Sequence, residues 1–128
     1  ATLAARTMLV SGLIVLCFII FHILHYTTMS FYPDWKEWHD AAGRHDVYRM
    51  MIVGFQNKWV SAFYILSVFL LCMHLSHGIQ SFLQTLGIRT RGWAAGISKA
   101  SVVLAWLIFL GYASIPTAVL LGILTYKP

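Results

Sequence analysis

The stretch Met8-Leu9-Val10-Ser11-Gly12-Leu13-Ile14-Val15-Leu16-Cys17-Phe18-Ile19-Ile20-Phe21-His22-Ile23-Leu24-His25 carries no Asp, Glu, Lys or Arg, and its reading decides the fold. The uncharged run around it reaches from Arg6 to Asp34, and two more lie between Lys58 and Arg89 and between Lys99 and Lys127. Each exceeds the roughly 20 residues that an apolar helix needs to cross a bilayer. The chain as a whole agrees, since 59% hydrophobic residues against 10% charged is far from the balance of a soluble domain. In hydrocarbon the backbone must satisfy its own hydrogen bonds, and spans of this length do so as helices. The expected fold is all-α: one integral membrane domain over residues 1–128, with spans near 7–29, 59–86 and 100–125 and a loop over 30–58.

Arg6 before an apolar run resembles the start of a secretory signal, but the run is too long and no small-residue cleavage site follows it. Orientation comes from the connections. Residues 87–99 hold Arg89, Arg91 and Lys99 with no acid, whereas 30–58 balances Lys36, Arg44, Arg49 and Lys58 against Asp34, Glu37, Asp40 and Asp46. The short basic loop is expected on the cytoplasmic side, with the amino terminus, and the long loop outside. A net charge of +5 does not make a nucleic-acid surface, because most basic residues sit at span ends where they anchor helices. Cys17 and Cys72 lie inside spans and read as small apolar packing residues; no Cys-x-x-Cys-His for covalent haem attachment occurs.

In the long loop, Phe31, Tyr32, Trp35 and Trp38 suit a segment lying in the headgroup region. Asp46 ahead of Val47-Tyr48-Arg49-Met50-Met51, with Gly54 beyond, has the cap and stop signals of a short helix on the surface. His39 and His45 fall in this polar loop, where solvated histidines are ordinary.

The pairs His22/His25 and His74/His77 differ, because an ionisable side chain at membrane depth is costly and usually faces a bundle interior or a cofactor. With a rise of about 1.5 Å per residue, His22 lies roughly 21 Å along the first span from the inside, and His74 roughly 21 Å along the second from the outside. The two stand at different levels, so two stacked sites are expected rather than one flat cofactor clamped between them. Within each pair the i, i+3 spacing puts both rings on one helix face about 60° apart, so they cannot be opposite axial ligands of one iron. One of each pair is expected to be a ligand and the other to hydrogen-bond nearby. Gly78, four residues after His74, permits close approach of a ring or helix, and Ser81 extends that small-residue face.

Interhelical hydrogen bonding is the competing explanation of buried histidines. Membrane hydroxylase and desaturase sites draw on many histidines near the membrane face, a pattern this chain lacks. Pro116 removes the donor for the Tyr112 carbonyl and predicts a kink in the third span.

These residues resemble the cytochrome b membrane anchor of succinate:quinone oxidoreductases and fumarate reductases, in its five-helix, di-haem form. Arg6-Thr7-Met8 through Ser11-Gly12-Leu13-Ile14 to Phe21-His22-Ile23-Leu24-His25 is similar to that family's third helix. Phe63-Tyr64-Ile65-Leu66 with His74-Leu75-Ser76-His77-Gly78-Ile79-Gln80-Ser81-Phe82 and Thr85-Leu86-Gly87 is similar to its fourth. Leu110-Gly111-Tyr112 and Ile115-Pro116 resemble the fifth, with weaker motifs.

The resemblance implies that His22 is an axial ligand of a distal haem iron and His74 of a proximal one. His25, His77, Gly78 and Ser81 then support the haems through hydrogen bonds and close approach. It implies haem b, two in the complete anchor, and a quinone as membrane substrate. The implied partners are a flavoprotein subunit that oxidises succinate, an iron–sulfur subunit, lipid, and a further membrane segment or chain supplying the other axial ligands. The implied place is the prokaryotic cytoplasmic membrane. A shorter, three-helix, single-haem anchor of the same enzyme class is the nearest rival. His22, and the lack of that form's Ser and Arg pattern before the first helix, stand against it. A haem-free scaffold that only docks soluble subunits is the alternative from another class.

Overall fold

The computed structural model describes residues 3–127, and among these the regular structure is helical apart from one isolated bridge between His39 and His45. The helices are α1 (Leu3–His22), α2 (Val47–Gln56), α3 (Lys58–Thr85) and α4 (Ala94–Leu120). A π-helical turn over Ile23–Thr27 prolongs α1, and a 3-10 turn over Pro33–Glu37 lies in the long loop. The segments Ala5–Thr27, Lys58–Thr85 and Ala94–Leu120 are long and apolar enough to cross a membrane, which makes this a multi-pass membrane protein.

Adjacent spans are antiparallel. Ser11 of α1 meets His74 of α3, while Phe18 and His22 meet Tyr64. Phe69 of α3 stacks edge-on with Trp106 and Phe109 of α4, and Gln80 meets Ser98. The end carrying residues 28–57 is here called upper, the end with the α3–α4 connection lower. The α3–α4 seam is lined by small buried residues, Cys72 and Ser76 on one helix and Ser101, Ala105 and Ala113 on the other. Without a hydrophobic drive between helices in lipid, such residues let backbones approach and gain dispersion contacts. The Ser101 hydroxyl donates to the Ile97 carbonyl at 2.8 Å.

The third span runs from Ala94 rather than residue 100 and stops at Leu120 rather than 125. Lys99 does not bound it, because a single cation near a helix end can reach the interface. Its upper end is set by Gly122, at φ +74°. The Gly122 amide donates to the Val119 carbonyl and the Ile123 amide to the Ala118 carbonyl, the bond pattern of a glycine-closed helix terminus. α3 ends by the same device, with Gly87 at φ +76° and amides of Gly87 and Ile88 donating to Gln84 and Leu83. Pro116 is buried inside α4, which continues for four more residues beyond it.

The short helix begins where expected, with the Asp46 carboxylate accepting from the Arg49 amide at 3.0 Å. It is not a surface helix. α2 tucks between the upper ends of α3 and α4, and Ile52 is 0% exposed. Ile52 joins Phe18, Phe55, Tyr64 and Val119 in the main buried cluster. Gly54 does not stop it either, since α2 continues to Gln56. A Cβ there would lie against the Tyr26 hydroxyl, 3.0 Å from Tyr26 Cζ and 3.2 Å from Trp35 Cη2, so glycine serves close packing. Asn57 alone separates α2 from α3, its side chain accepting from the Trp59 and Val60 amides. Of the cysteines, Cys72 is buried as expected, whereas Cys17 lies on the exposed face of α1.

Candidate functional site

The upper site is built where α1 widens. The Thr28 amide donates to the Ile23 carbonyl and the Ser30 amide to the Leu24 carbonyl, both at 2.8 Å. These are longer loops than an α-helix closes, and π turns of this kind recur at functional sites. Met29, at φ +53°, then turns the chain away in a left-handed conformation that few non-glycine residues adopt. The turn carries His25 inward. His25 is 1% exposed, with ring centroids of Tyr26 at 4.1 Å, Trp35 at 5.3 Å and Phe21 at 5.4 Å.

His22, one helical turn earlier, is exposed from the protein and opens on a cavity of about 790 Å³ between all four helices. The walls are mainly apolar, including Phe18, Met50, Phe55 and Ile115. The polar groups lining it come from His22, Tyr26, Thr27, His45, Tyr64 and Tyr112. Volume and lining are those of a small-molecule site, apolar with a few polar groups to fix orientation. Behind the cavity, the Tyr64 hydroxyl lies 3.3 Å from His22 Nδ1 and 2.9 Å from His25 Nδ1. Tyr64 is 5% exposed, its ring wedged edge-on against Phe18 and Phe55.

The lower histidine has a different setting. His74 Nδ1 lies 2.9 Å from the Ser11 hydroxyl oxygen, and that hydroxyl donates to the Met8 carbonyl 3.1 Å away. A carbonyl only accepts, so with the one hydroxyl hydrogen of Ser11 given to Met8, the His74 contact is made by Nδ1–H donating to Ser11. The other nitrogen, Nε2, is then the one with a free lone pair. The ring lies across Gly12, where a Cβ would come within 3.3 Å of Cε1. His74 is level with Ser11, so eleven residues of α1, or about 16 Å, separate it from His22. The two stand at different depths.

The remaining expected residues are not gathered at either histidine. His77 faces the other way, into a cleft of about 270 Å³ between α3 and α4 with Cys72, Ser76 and Trp106. Ser81 is exposed, and nothing lies within 4 Å of a Cβ built on Gly78. The close approach assigned to Gly78 is made instead at Gly12, against the His74 ring.

Two features escaped the sequence. Trp35 is not a headgroup anchor: it is 3% exposed and roofs His25, stacked on Tyr26 and Tyr32. His45 is not a solvated loop histidine, since its Nε2 lies 2.8 Å from the Trp35 carbonyl oxygen and its side chain lines the large cavity. The nearest signal was the aromatic density of residues 31–38 beside an acid-capped helix. Among the described residues, no three of His, Cys, Asp and Glu come together to hold a bare metal ion. No family model, no curated protein and no solved structure matches the chain.

Proposed function

We propose that the chain is the haem b-bearing part of a membrane anchor of the succinate:quinone oxidoreductase type, carrying electrons between an iron–sulfur subunit and membrane quinone. The observation that carries this reading is that histidines at two levels each have Nδ1 against a hydroxyl of a neighbouring helix. An imidazole so tethered presents Nε2, and ligand histidines are characteristically oriented through their other ring nitrogen. His74 meets that requirement through Ser11, and His22 adds an apolar cavity large enough for a flat macrocycle. The residues at His22 therefore fit a haem, and His74 would offer its tethered ring to a second iron.

When bound, haem supplies a one-electron couple whose potential the protein sets by axial ligand, hydrogen bonding and burial. Ser11 holds His74 in one tautomer, Gly12 leaves room for its ring, and the apolar walls around His22 exclude water. A further membrane segment or chain would complete the ligands of each iron, and the flavin chemistry on succinate would belong to a soluble subunit. The place is the cytoplasmic membrane of a prokaryote, with the lower, basic end facing the soluble subunits.

A second reading has an observation of its own. Both bonds, His74 to Ser11 and His22 to Tyr64, cross between α1 and α3 and serve equally as interhelical glue in a haem-free scaffold. A reduced-minus-oxidised optical spectrum of the purified complex, with haem quantified per copy of this chain, decides between them. Two b-type haems per copy are expected. A single haem points to the shorter three-helix anchor, and none overturns the assignment.

A further inference from the structure

The two upper histidines share one phenol, and hydrogen counting makes them interdependent. Tyr64 is the sole side-chain partner of both Nδ1 atoms among the described residues, and a phenol has one hydrogen to give. Two arrangements satisfy both contacts and also give the phenol hydrogen an acceptor. In one, His22 Nδ1–H donates to the Tyr64 oxygen and Tyr64 O–H donates to His25 Nδ1. In the other, every hydrogen in the chain is reversed. The first leaves His22 Nε2 with a lone pair and His25 with a proton on Nε2; the second leaves His22 Nε2 protonated and unable to bind iron.

We propose that Tyr64 is the positioning residue of the upper site: it accepts from His22 Nδ1–H while donating to His25, so that binding at His22 Nε2 fixes the tautomer of buried His25. The proposal rests on the haem-anchor function. Three features of the structure support it. Tyr64 is buried and wedged between Phe18 and Phe55, which holds its hydroxyl where both rings meet it. His25 is closed off beneath Trp35, and its Nε2 is buried without a partner, so solvent does not choose its tautomer. The π turn over Ile23–Thr27 carries His25 into that pocket one turn from His22.

The chain of bonds has a direction of effect. A hydroxyl that donates becomes a better acceptor, so His25 strengthens the pull of Tyr64 on the His22 Nδ1 proton. That pull raises the basicity of the His22 ring as a ligand and favours the oxidised iron. Removing Tyr64 therefore shifts the upper midpoint potential to more positive values, and removing His25 shifts it less.

The test is a redox titration, followed optically, of the membrane complex containing the chain as parent, Tyr64→Phe, His25→Leu and His25→Gln. The amide oxygen of glutamine accepts from Tyr64 as His25 Nδ1 does. The expected result is a positive shift of the His22-linked haem in Tyr64→Phe, a smaller one in His25→Leu, and return toward the parent value in His25→Gln. The His74-linked haem stays unmoved throughout. Haem retained in Tyr64→Phe at the parent potential overturns the proposal, as does an equal shift in His25→Leu and His25→Gln. If Tyr64→Phe loses the upper haem, the two His25 variants decide by the same criterion. A parent complex with no haem overturns the function itself, whereas haem present with its potential unmoved overturns only the role of Tyr64.

Discussion

The upper and lower halves of the molecule treat a similar His-x-x-His pair in opposite ways. Above, a loop, a short helix and a roof of aromatic rings close over His25, and His22 opens on a walled cavity. Below, His74 is held by one serine and one glycine of α1, while His77 turns to the α3–α4 cleft and Ser81 is exposed. The upper pair converges on one hydroxyl because a π turn redirects its second member. The lower pair stays on a regular helix, and its members diverge into different surroundings. Spacing fixes where two side chains leave a helix; what they do there depends on whether the helix remains regular and on what crosses it.

The largest expected effect tests whether the halves are independent. His22→Ala should abolish the upper haem and spare the lower, and His74→Ala the reverse, each removing about half of the b-type absorbance. Loss of both from either substitution would show one shared site or misassembly. Next come the two crowded glycines. Gly54→Ala should destabilise the protein by about 1–3 kcal/mol, because Tyr26 and Trp35 cannot both yield within their ring stack. Gly12→Ala should remain within about 1 kcal/mol of the parent, since the His74 edge needs to give only slightly and alanine favours the helix. Thermal unfolding in detergent measures both, and equal losses would erase the contrast between a packed upper half and an open lower one.

Ser11→Ala is a smaller perturbation, about 1 kcal/mol for one lost hydrogen bond. It should move the lower haem's potential and leave the upper unchanged; movement of the upper one would couple the halves. The least effect is expected in the outer turn. The Arg44 amide, with the Arg44 guanidinium and the Ala42 amide, holds the exposed Asp40 carboxyl below its ordinary value. A lowered carboxyl contributes above its ordinary pKa, and the contribution is lost as pH falls through the folded value. Hydrogen exchange of the Ala42 and Arg44 amides should accordingly rise relative to an Asp40→Ala variant's on acidification, with no change in the cavity.

The three spans were legible because lipid solubility is written in composition: an uncharged run longer than a bilayer needs permits few other structures. The different levels of His22 and His74 followed from counting rise along antiparallel helices. What the sequence hid was tertiary. Gly54 reads as a stop signal, but its missing side chain is needed by Tyr26 and Trp35 from distant segments. Trp35 and His45 read as interfacial and solvated because nothing local shows that the loop folds back over the π turn. The π turn itself leaves no periodic trace, since a single widened turn alters hydrogen bonding without altering residue type. Tyr64 stood out in the sequence only as part of Phe63-Tyr64-Ile65-Leu66, and only the crossing with α1 brings its hydroxyl between two histidines.

The glycine-closed ends of α3 and α4 also set how the molecule meets its membrane. At 28 and 27 residues, these helices are about 40 Å long, some 10 Å more than a typical hydrocarbon core. Their length is fixed by backbone geometry at Gly87 and Gly122 and not by where hydrophobicity fades. The excess is taken up by tilt or by projection beyond the core, each at a modest elastic cost. A thicker bilayer would bring the helices upright and a thinner one would lean them further, so lipid thickness acts directly on the angle at which the two histidine levels are stacked.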